Sequence, residues 1–384
     1  MTLTMNYLTV DIYDQFQCIA DRCPNTCCTN WTILMDDATC QKMIEHENEL
    51  EIRAKDWLVK ENGVISVKNK NNRCPMLTEN NLCKVVLRLG PQYLCDTCRT
   101  YPRMSRQYGS FMEEYLLMSC PEVIHMLMQK ETVDILLTND HLAEGDPCFT
   151  DLYLFEANVR THIFQILKYK QSISLSARLF LAFTVLNEAV QMYQNGCPDS
   201  GVFEKNCSSI QMLPYIEKQL SFILNDVQRF DIIKQALHIF YNDFTPHKRF
   251  NELIQNAIQY FNERGIDQYK EDIQKFKETC CVSFQNFYTN YWICHIFSDL
   301  ISIPDYQRSK EIFIYDAVEF AFIQTISLVS YVNKGVLDKS EYSYVISCFA
   351  RAFEHNHSFR SQLMEEIQKN NLISAAGLLM FIIS

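Results

Sequence analysis

The segment CIADRCPNTCCTNW, Cys18 to Trp31, places four cysteines within eleven positions, two of them adjacent. No other stretch so narrows what the chain can fold around. Thiols two to four residues apart converge on one metal ion or one edge of a cluster. Further cysteines follow in short blocks: Cys74 and Cys83 in CPMLTENNLC, Cys95 and Cys98 in YLCDTCRTYPR, and Cys120 in MSCPE. Eleven of the 17 cysteines precede residue 150. Burial explains single cysteines but gives no reason for clustering. It is the default reading for Cys197, Cys207, Cys280, Cys281, Cys294 and Cys348, which sit in helical patterns. Side chains of neighbours diverge on helices and strands, so Cys27 and Cys28 are expected to face different ways. One then ligates while the other packs, or each serves a different site.

Compartment decides what such thiols do. The first residues, MTLTMNYLTVDIYDQF, lack a basic stretch followed by a continuous apolar one, so no signal peptide is read. The late apolar run Leu372 to Ile383 is too short to span a bilayer. The expectation is a cytoplasmic protein with reduced thiols, which act as ligands or core residues rather than as disulfides. A net charge of −11 lacks the electrostatic footprint of a nucleic-acid binder and suits a basic or lysine-bearing partner. No histidines partner the clustered cysteines, so the site is expected to be all-thiolate. That donor set suits structural zinc and an iron–sulfur cluster equally, and spacing does not separate them.

The chain divides in two. Its 384 residues allow two or three domains, and its 48% hydrophobic content fills a sizeable core. The expected fold class is mainly α, with an irregular cysteine-rich domain over residues 1–145 and an all-α domain over 146–384. In the first part, VISV reads as a strand and Asp36 to Ala54 as a helix capped by Asp36 or Asp37. Ser119-Cys-Pro-Glu122 reads as a capping box opening a helix to about Lys130. This puts Cys120 in the first turn, where the helix dipole favours a thiolate. After Pro147, helical periodicity predicts Leu152–Tyr169, Leu175–Tyr193, Ile210–Leu224, Asp231–Phe240, Phe250–Arg264, Asp267–Asp299, Lys310–Val332, Glu341–His355 and Phe359–Ile383. Turn chemistry falls at NGCPDSG, DFTPHKR, SIPDY and NKG.

The ordered blocks FQCIADRCPNTCCTNW, RCPMLTENNLCKV, CDTCRTYPR and LLMSCPEV, over roughly residues 13 to 127, resemble the flagellin lysine-N-methylase family. That family lies within a wider group with a cysteine-rich zinc- or iron-chelating domain. The helical remainder is similar only in kind. The resemblance implies a methyltransferase that uses S-adenosylmethionine to methylate surface lysines of flagellin, its protein partner, together with a 4Fe–4S cluster. It maps the family cysteines onto Cys18, Cys23, Cys27, Cys28, Cys74, Cys83, Cys98 and Cys120, and Cys95 departs from the pattern. Eight thiols exceed the four that one cluster needs.

Lysine methylation requires the neutral amine, so a site must desolvate the ammonium or accept its proton. Asp96, Glu113, Glu114 and Glu122 lie in the matching blocks and are candidate acceptors. The plainer reading makes Glu122 a capping residue and leaves Glu113 and Glu114 on the solvated surface. Tyr101 is a candidate substrate contact, more often simply packed. Arg99 and Arg103 are candidates for the cofactor carboxylate or for screening a negative cluster. Glycine pairs of the G-x-G type and strand–helix alternation are both missing, which excludes an ordinary doubly wound cofactor fold. One expectation therefore has the cofactor chelate an iron of the cluster, and Cys23-x3-Cys27 supplies half of the cysteine signature of radical enzymes. His355 and His357, two apart, read as surface residues. The aromatic stretch Phe284 to Phe297 reads as a core helix in preference to a peptide groove. The rival functions are a non-enzymatic zinc-stabilised protein-binding module and an iron–sulfur electron-transfer protein.

Overall fold

The computed structural model describes residues 6–29, 33–70, 73–108, 111–139, 151–170, 172–223, 226–243, 248–299 and 306–354, with positions 362, 365 and 369 beyond them. Trp31, Cys148, His355, His357 and the run Leu372–Ile383 lie outside the described residues, as does all but three positions of the expected helix Phe359–Ile383.

The amino-terminal part contains more strand than its irregular pattern suggests. Strands β1 (Asn6–Val10), β5 (Arg103–Tyr108), β6 (Phe111–Leu116) and β7 (Ile135–Asn139) form one sheet in the order β5-β6-β1-β7. β1 runs parallel to β6, with Asn6 opposite Phe111, and antiparallel to β7, with Leu8 opposite Leu137. A second sheet places β4 (Val64–Val67) between β2 (Leu34–Met35) and β3 (Leu58–Glu61). Only VISV, now β4, was legible as a strand. The others are short or mixed in polarity, and β1 finds its partners β6 and β7 only about 100 residues or more along the chain.

The expected helix from Asp36 breaks into α1 (Asp37–Glu45), α2 (Glu47–Leu50) and α3 (Ala54–Trp57). Asp36 caps α1 through a 2.7 Å bond from the Thr39 amide. Glu51 at φ 53° takes a left-handed conformation and ends α2. Short helices α4 (Lys84–Arg88) and α5 (Asp96–Thr100) follow, then α6 (Pro121–Gln129). The capping-box reading of α6 is corrected by one residue. Cys120 is the cap and Pro121 opens the helix, where its missing N–H costs nothing. The Ser119 hydroxyl instead accepts from Tyr101 Oη at 3.1 Å.

The helices of the second part are α7 (Asp151–Leu167), α8 (Leu175–Gln194), α9 (Ser200–Asn206), α10 (Leu213–Ile223), α11 (Asp226–Asp243) and α12 (Lys248–Glu263). They continue as α13 (Ile266–Phe276), α14 (Val282–Asp299), α15 (Tyr306–Lys334) and α16 (Lys339–Glu354). The expected single helix Asp267–Asp299 is α13 and α14 joined by a π turn at Lys277–Cys281. Gly196 and Gly335, both at φ 73°, end α8 and α15 in the NGCPDSG and NKG segments. The unforeseen α9 starts inside the NGCPDSG segment, at Ser200, capped by Asp199.

Phe284, Phe287, Tyr288, Tyr291 and Trp292 recur on one face of α14 and are all buried, so the core-helix reading holds. The rings of Phe287 and Trp292 pack edge-on or tilted against Phe313 and Phe320 of α15 and Tyr342 of α16. The 27-residue stretch Arg308–Lys334 of α15 is long and apolar enough to cross a membrane, yet 94% of its most apolar window is buried inside the fold.

The buried side chains form two cores. The larger joins β1, β6 and α6 to the helices; the smaller holds residues 33–95, around Trp57, Leu50 and Val85. Helix α6 packs on α14 and α16. Its last turn is closed by Asn290, whose Nδ2 donates to the carbonyls of Leu127 (3.2 Å) and Lys130 (3.0 Å).

Candidate functional site: a thiol-lined cavity between the two cores

Nine cysteines line one cavity of about 470 Å³: Cys18, Cys23, Cys27, Cys28, Cys74, Cys83, Cys95, Cys98 and Cys120. All eight mapped from the family pattern are there, and Cys95 joins them. Local structure explains how distant blocks converge. Cys23 follows a tight turn at Ala20–Arg22, and the Cys28 carbonyl accepts the Cys74 amide at 2.9 Å. A bridge between Leu77 and Cys83 folds the CPMLTENNLC block back on itself. Cys83, Cys95 and Cys120 each sit immediately before a helix, α4, α5 and α6.

The two cores supply different thiols. Cys28, Cys74, Cys83, Cys95 and Cys98 belong to or pack on the smaller core, and Cys120 belongs to the larger. Cys27 and Cys28 do not simply diverge: they occupy a turn, and both line the cavity. The expectation from helices and strands fails there because a turn has neither periodicity. Among the described residues, no three cysteine sulfurs lie within 4.8 Å of one another.

Charge is distributed unevenly over the set. The hydrogen bond from Cys27 draws Cys28 down to about 7, helped by Thr26 and by the charges of Arg351 and Arg73. Cys98 does the same for Cys95, which also falls to about 7. The donors Cys27 and Cys98 are pushed up in return. Burial pushes Cys74 and Cys120 up to about 12 and raises Cys23 and Cys83. At Cys120 desolvation thus outweighs the amides of the first turn, opposite to the dipole expectation.

The most consequential residue escaped sequence reading. Arg351 of α16, 4% exposed, lines the cavity. Its Nη1 donates to Asn25 Oδ1 (3.0 Å) and the Thr26 carbonyl (2.9 Å). Its Nη2 donates to the carbonyls of Asn25 (2.8 Å) and Ser119 (3.3 Å). Asn25 in turn donates to Ser347 Oγ at 3.0 Å and Cys348 Sγ at 3.4 Å. The first cysteine loop is therefore docked on α16 through a buried cation. No local pattern links residues 326 positions apart.

The other candidates separate clearly. Arg99, Arg103, Tyr101 and Glu122 line the cavity. Arg103 donates to the Phe16 carbonyl at 2.8 Å and covers the Tyr13 and Phe16 rings. Asp96 is exposed and pairs with Arg99. Glu114 accepts from Thr9 Oγ1 at 3.0 Å. Glu113 is not a surface residue: it is 1% exposed and pairs with Arg106 and Arg160. Arg106 also binds the carbonyls of Phe297 and Ser298, so this carboxylate ties β6 to α7 and α14.

A mainly α-helical protein in which nine thiols from four chain segments meet between two cores is the class that fold and site define. The chain belongs to the family of the FliB lysine N-methylase C-terminal domain, whose model matches residues 160–381. The match thus falls on the helical half that looked similar only in kind. The lysine-N-methylases of Salmonella typhimurium and Salmonella choleraesuis are each 30% identical to it, over 121 and 120 residues. Those spans cover 30% and 29% of this chain, and in both cases 30% of the relative's own length. The flagellar biosynthetic protein FliU of Salmonella muenchen is 31% identical over 120 residues, 29% of this chain and 71% of that protein. No solved structure matches.

Proposed function

We propose that the protein is a protein-lysine N-methyltransferase acting on flagellin, with S-adenosylmethionine as methyl donor and a 4Fe–4S cluster held by thiolates of the cavity. The observation that carries this reading is the convergence of nine thiols on one cavity in a chain of the lysine N-methylase family. The donor chemistry fits the cluster. The all-thiolate lining suits zinc and an iron–sulfur cluster alike, and the cluster is the choice that the family resemblance implies. The ligands are drawn from Cys18, Cys23, Cys27, Cys28, Cys74, Cys83, Cys95, Cys98 and Cys120. When bound, such a cluster supplies a Lewis-acidic and redox-active centre.

The chain's own residues have three tasks. Arg351, Arg99 and Arg103 place positive charge around a site that thiolates make negative, and Arg99 and Arg103 are also suited to a cofactor carboxylate. The apolar wall of Met76, Leu77, Val85 and Pro121 strips water from an entering lysine. A free lysine is neutral in about one molecule in 2,500 at pH 7. Of the four candidate carboxylates Glu122 alone lines the cavity, so it is the proton acceptor proposed here. The overall acidity of the chain, net −11, assists attraction of a lysine-bearing partner.

The test is oxygen-free purification, iron and sulfide analysis, visible absorption, and then methyl transfer to flagellin. The expected result is a brown protein with iron and sulfide in equal amounts, which methylates flagellin lysines only when S-adenosylmethionine is present. A colourless protein containing zinc, or a brown one that moves no methyl group, overturns the reading.

A further inference from the structure

Away from the thiols, the core contains a second constellation with ligand chemistry. His295 of α14 and Asp316 and Glu319 of α15 are 2%, 2% and 1% exposed. One donor atom from each lies within 4.8 Å of the other two. Asp316 and Glu319 are three residues apart and therefore share a helix face. None of the three lines the thiol cavity.

The histidine is the unusual member. Neither ring nitrogen has a hydrogen-bond partner, although buried polar groups nearly always have one. Nδ1 lies 3.8 Å from Asp316 Oδ1, beyond hydrogen-bond reach. Two ligands on one ion, with bonds of about 2.1 Å, sit about 3.0 to 3.4 Å apart, closer by less than about 1 Å. An outer partner of the kind that orients metal ligands is also present. Tyr291, one helical turn before His295, stacks on the imidazole with 4.2 Å between centroids and donates to Glu319 Oε1 at 3.2 Å.

We propose that His295, Asp316 and Glu319 bind a divalent cation of the manganese–zinc class, which ties α14 to α15 inside the helical core. One imidazole and two carboxylates form a donor set of mixed hardness that suits such ions. The competing arrangement is a protonated His295 paired with Asp316 and no metal.

Manganese is the probe, because thiolates select zinc and iron over it. The full chain is produced in Mn2+-supplemented medium, purified without oxygen and desalted, and its manganese and iron are counted. The expected result is one Mn2+ per chain, with one imidazole nitrogen coupled to it in pulsed electron paramagnetic resonance. Asp316→Asn and Glu319→Gln should each lose the manganese and keep their iron. Loss of a direct ligand should weaken binding by at least the roughly 10- to 100-fold that loss of an outer partner costs. Wild-type protein without manganese, bound manganese lacking nitrogen coupling, or variants that retain it would overturn the proposal. The wild-type measurements decide the matter even if both variants fail to fold.

Discussion

Replacing Arg351 with methionine tests how the cysteine loop is held. Methionine keeps much of the aliphatic volume but removes four hydrogen bonds, at 2.8, 2.9, 3.0 and 3.3 Å. Their acceptors are the carbonyls of Asn25, Thr26 and Ser119 and the Asn25 side chain, in a site where Asn25 is 2% and Ser119 0% exposed. A hydrogen bond from a charged donor contributes about 1.5 to 3 kcal/mol net, and an acceptor left buried and unsatisfied costs about 1 to 3 kcal/mol. The bonds are not additive, and removing the guanidinium also relieves its desolvation. The expected net loss is about 3 to 5 kcal/mol, that of two or three buried acceptors left unsatisfied. Much of the loss should be local, because the bonds hold one loop on one helix. Native-state hydrogen exchange reads local opening directly. The Cys74 amide, bonded to the Cys28 carbonyl, reports on the loop, and its exchange should accelerate about 100-fold or more. Arg351→Lys should recover only part of this, since one ammonium cannot match the planar fork. Acceleration below about fivefold, equivalent to about 1 kcal/mol, or full rescue by lysine, would refute the docking argument.

Glu113 gives a pH signature. Burial acts to raise its carboxyl, but the charges of Arg160 and Arg106 outweigh burial and hold it below its usual value. The stabilisation is therefore present above the unfolded-state value and is lost as pH falls through the folded one. Glu113→Gln should flatten the acid side of the stability–pH curve and cost about 3 kcal/mol or more at pH 7, measured by denaturant titration. Cys74→Ser should lower the iron content of protein purified without oxygen, whereas Cys197→Ser, at an exposed residue outside the cavity lining, should leave it unchanged. Asp36→Ala removes the cap of α1 and should cost about 1 kcal/mol in thermal or denaturant unfolding.

The helical half was legible because one long element carries its own evidence. The repeat Phe284, Phe287, Tyr288, Tyr291, Trp292 marks a buried helix face without reference to any neighbour. Clustering likewise marked the thiols, since eight of the nine that line the cavity sit in blocks whose spacing is visible in one dimension. The sheet β5-β6-β1-β7 was not legible, because β1 is stabilised by strands more than 100 residues away and only pairing defines its register. Glu113 looked like a solvated charge and is buried, because the arginines that neutralise it come from β5 and α7.

The order of the cysteine blocks and the helical periodicity belong to the sequence alone. Both depend on residues close together along the chain. Tertiary structure decided that Cys95 joins the other eight thiols and that Arg351 secures the loop carrying Cys27 and Cys28. Those outcomes depend on which distant surfaces exclude water together. A buried guanidinium on α16 becomes favourable only when the carbonyls of Asn25, Thr26 and Ser119 are brought to it.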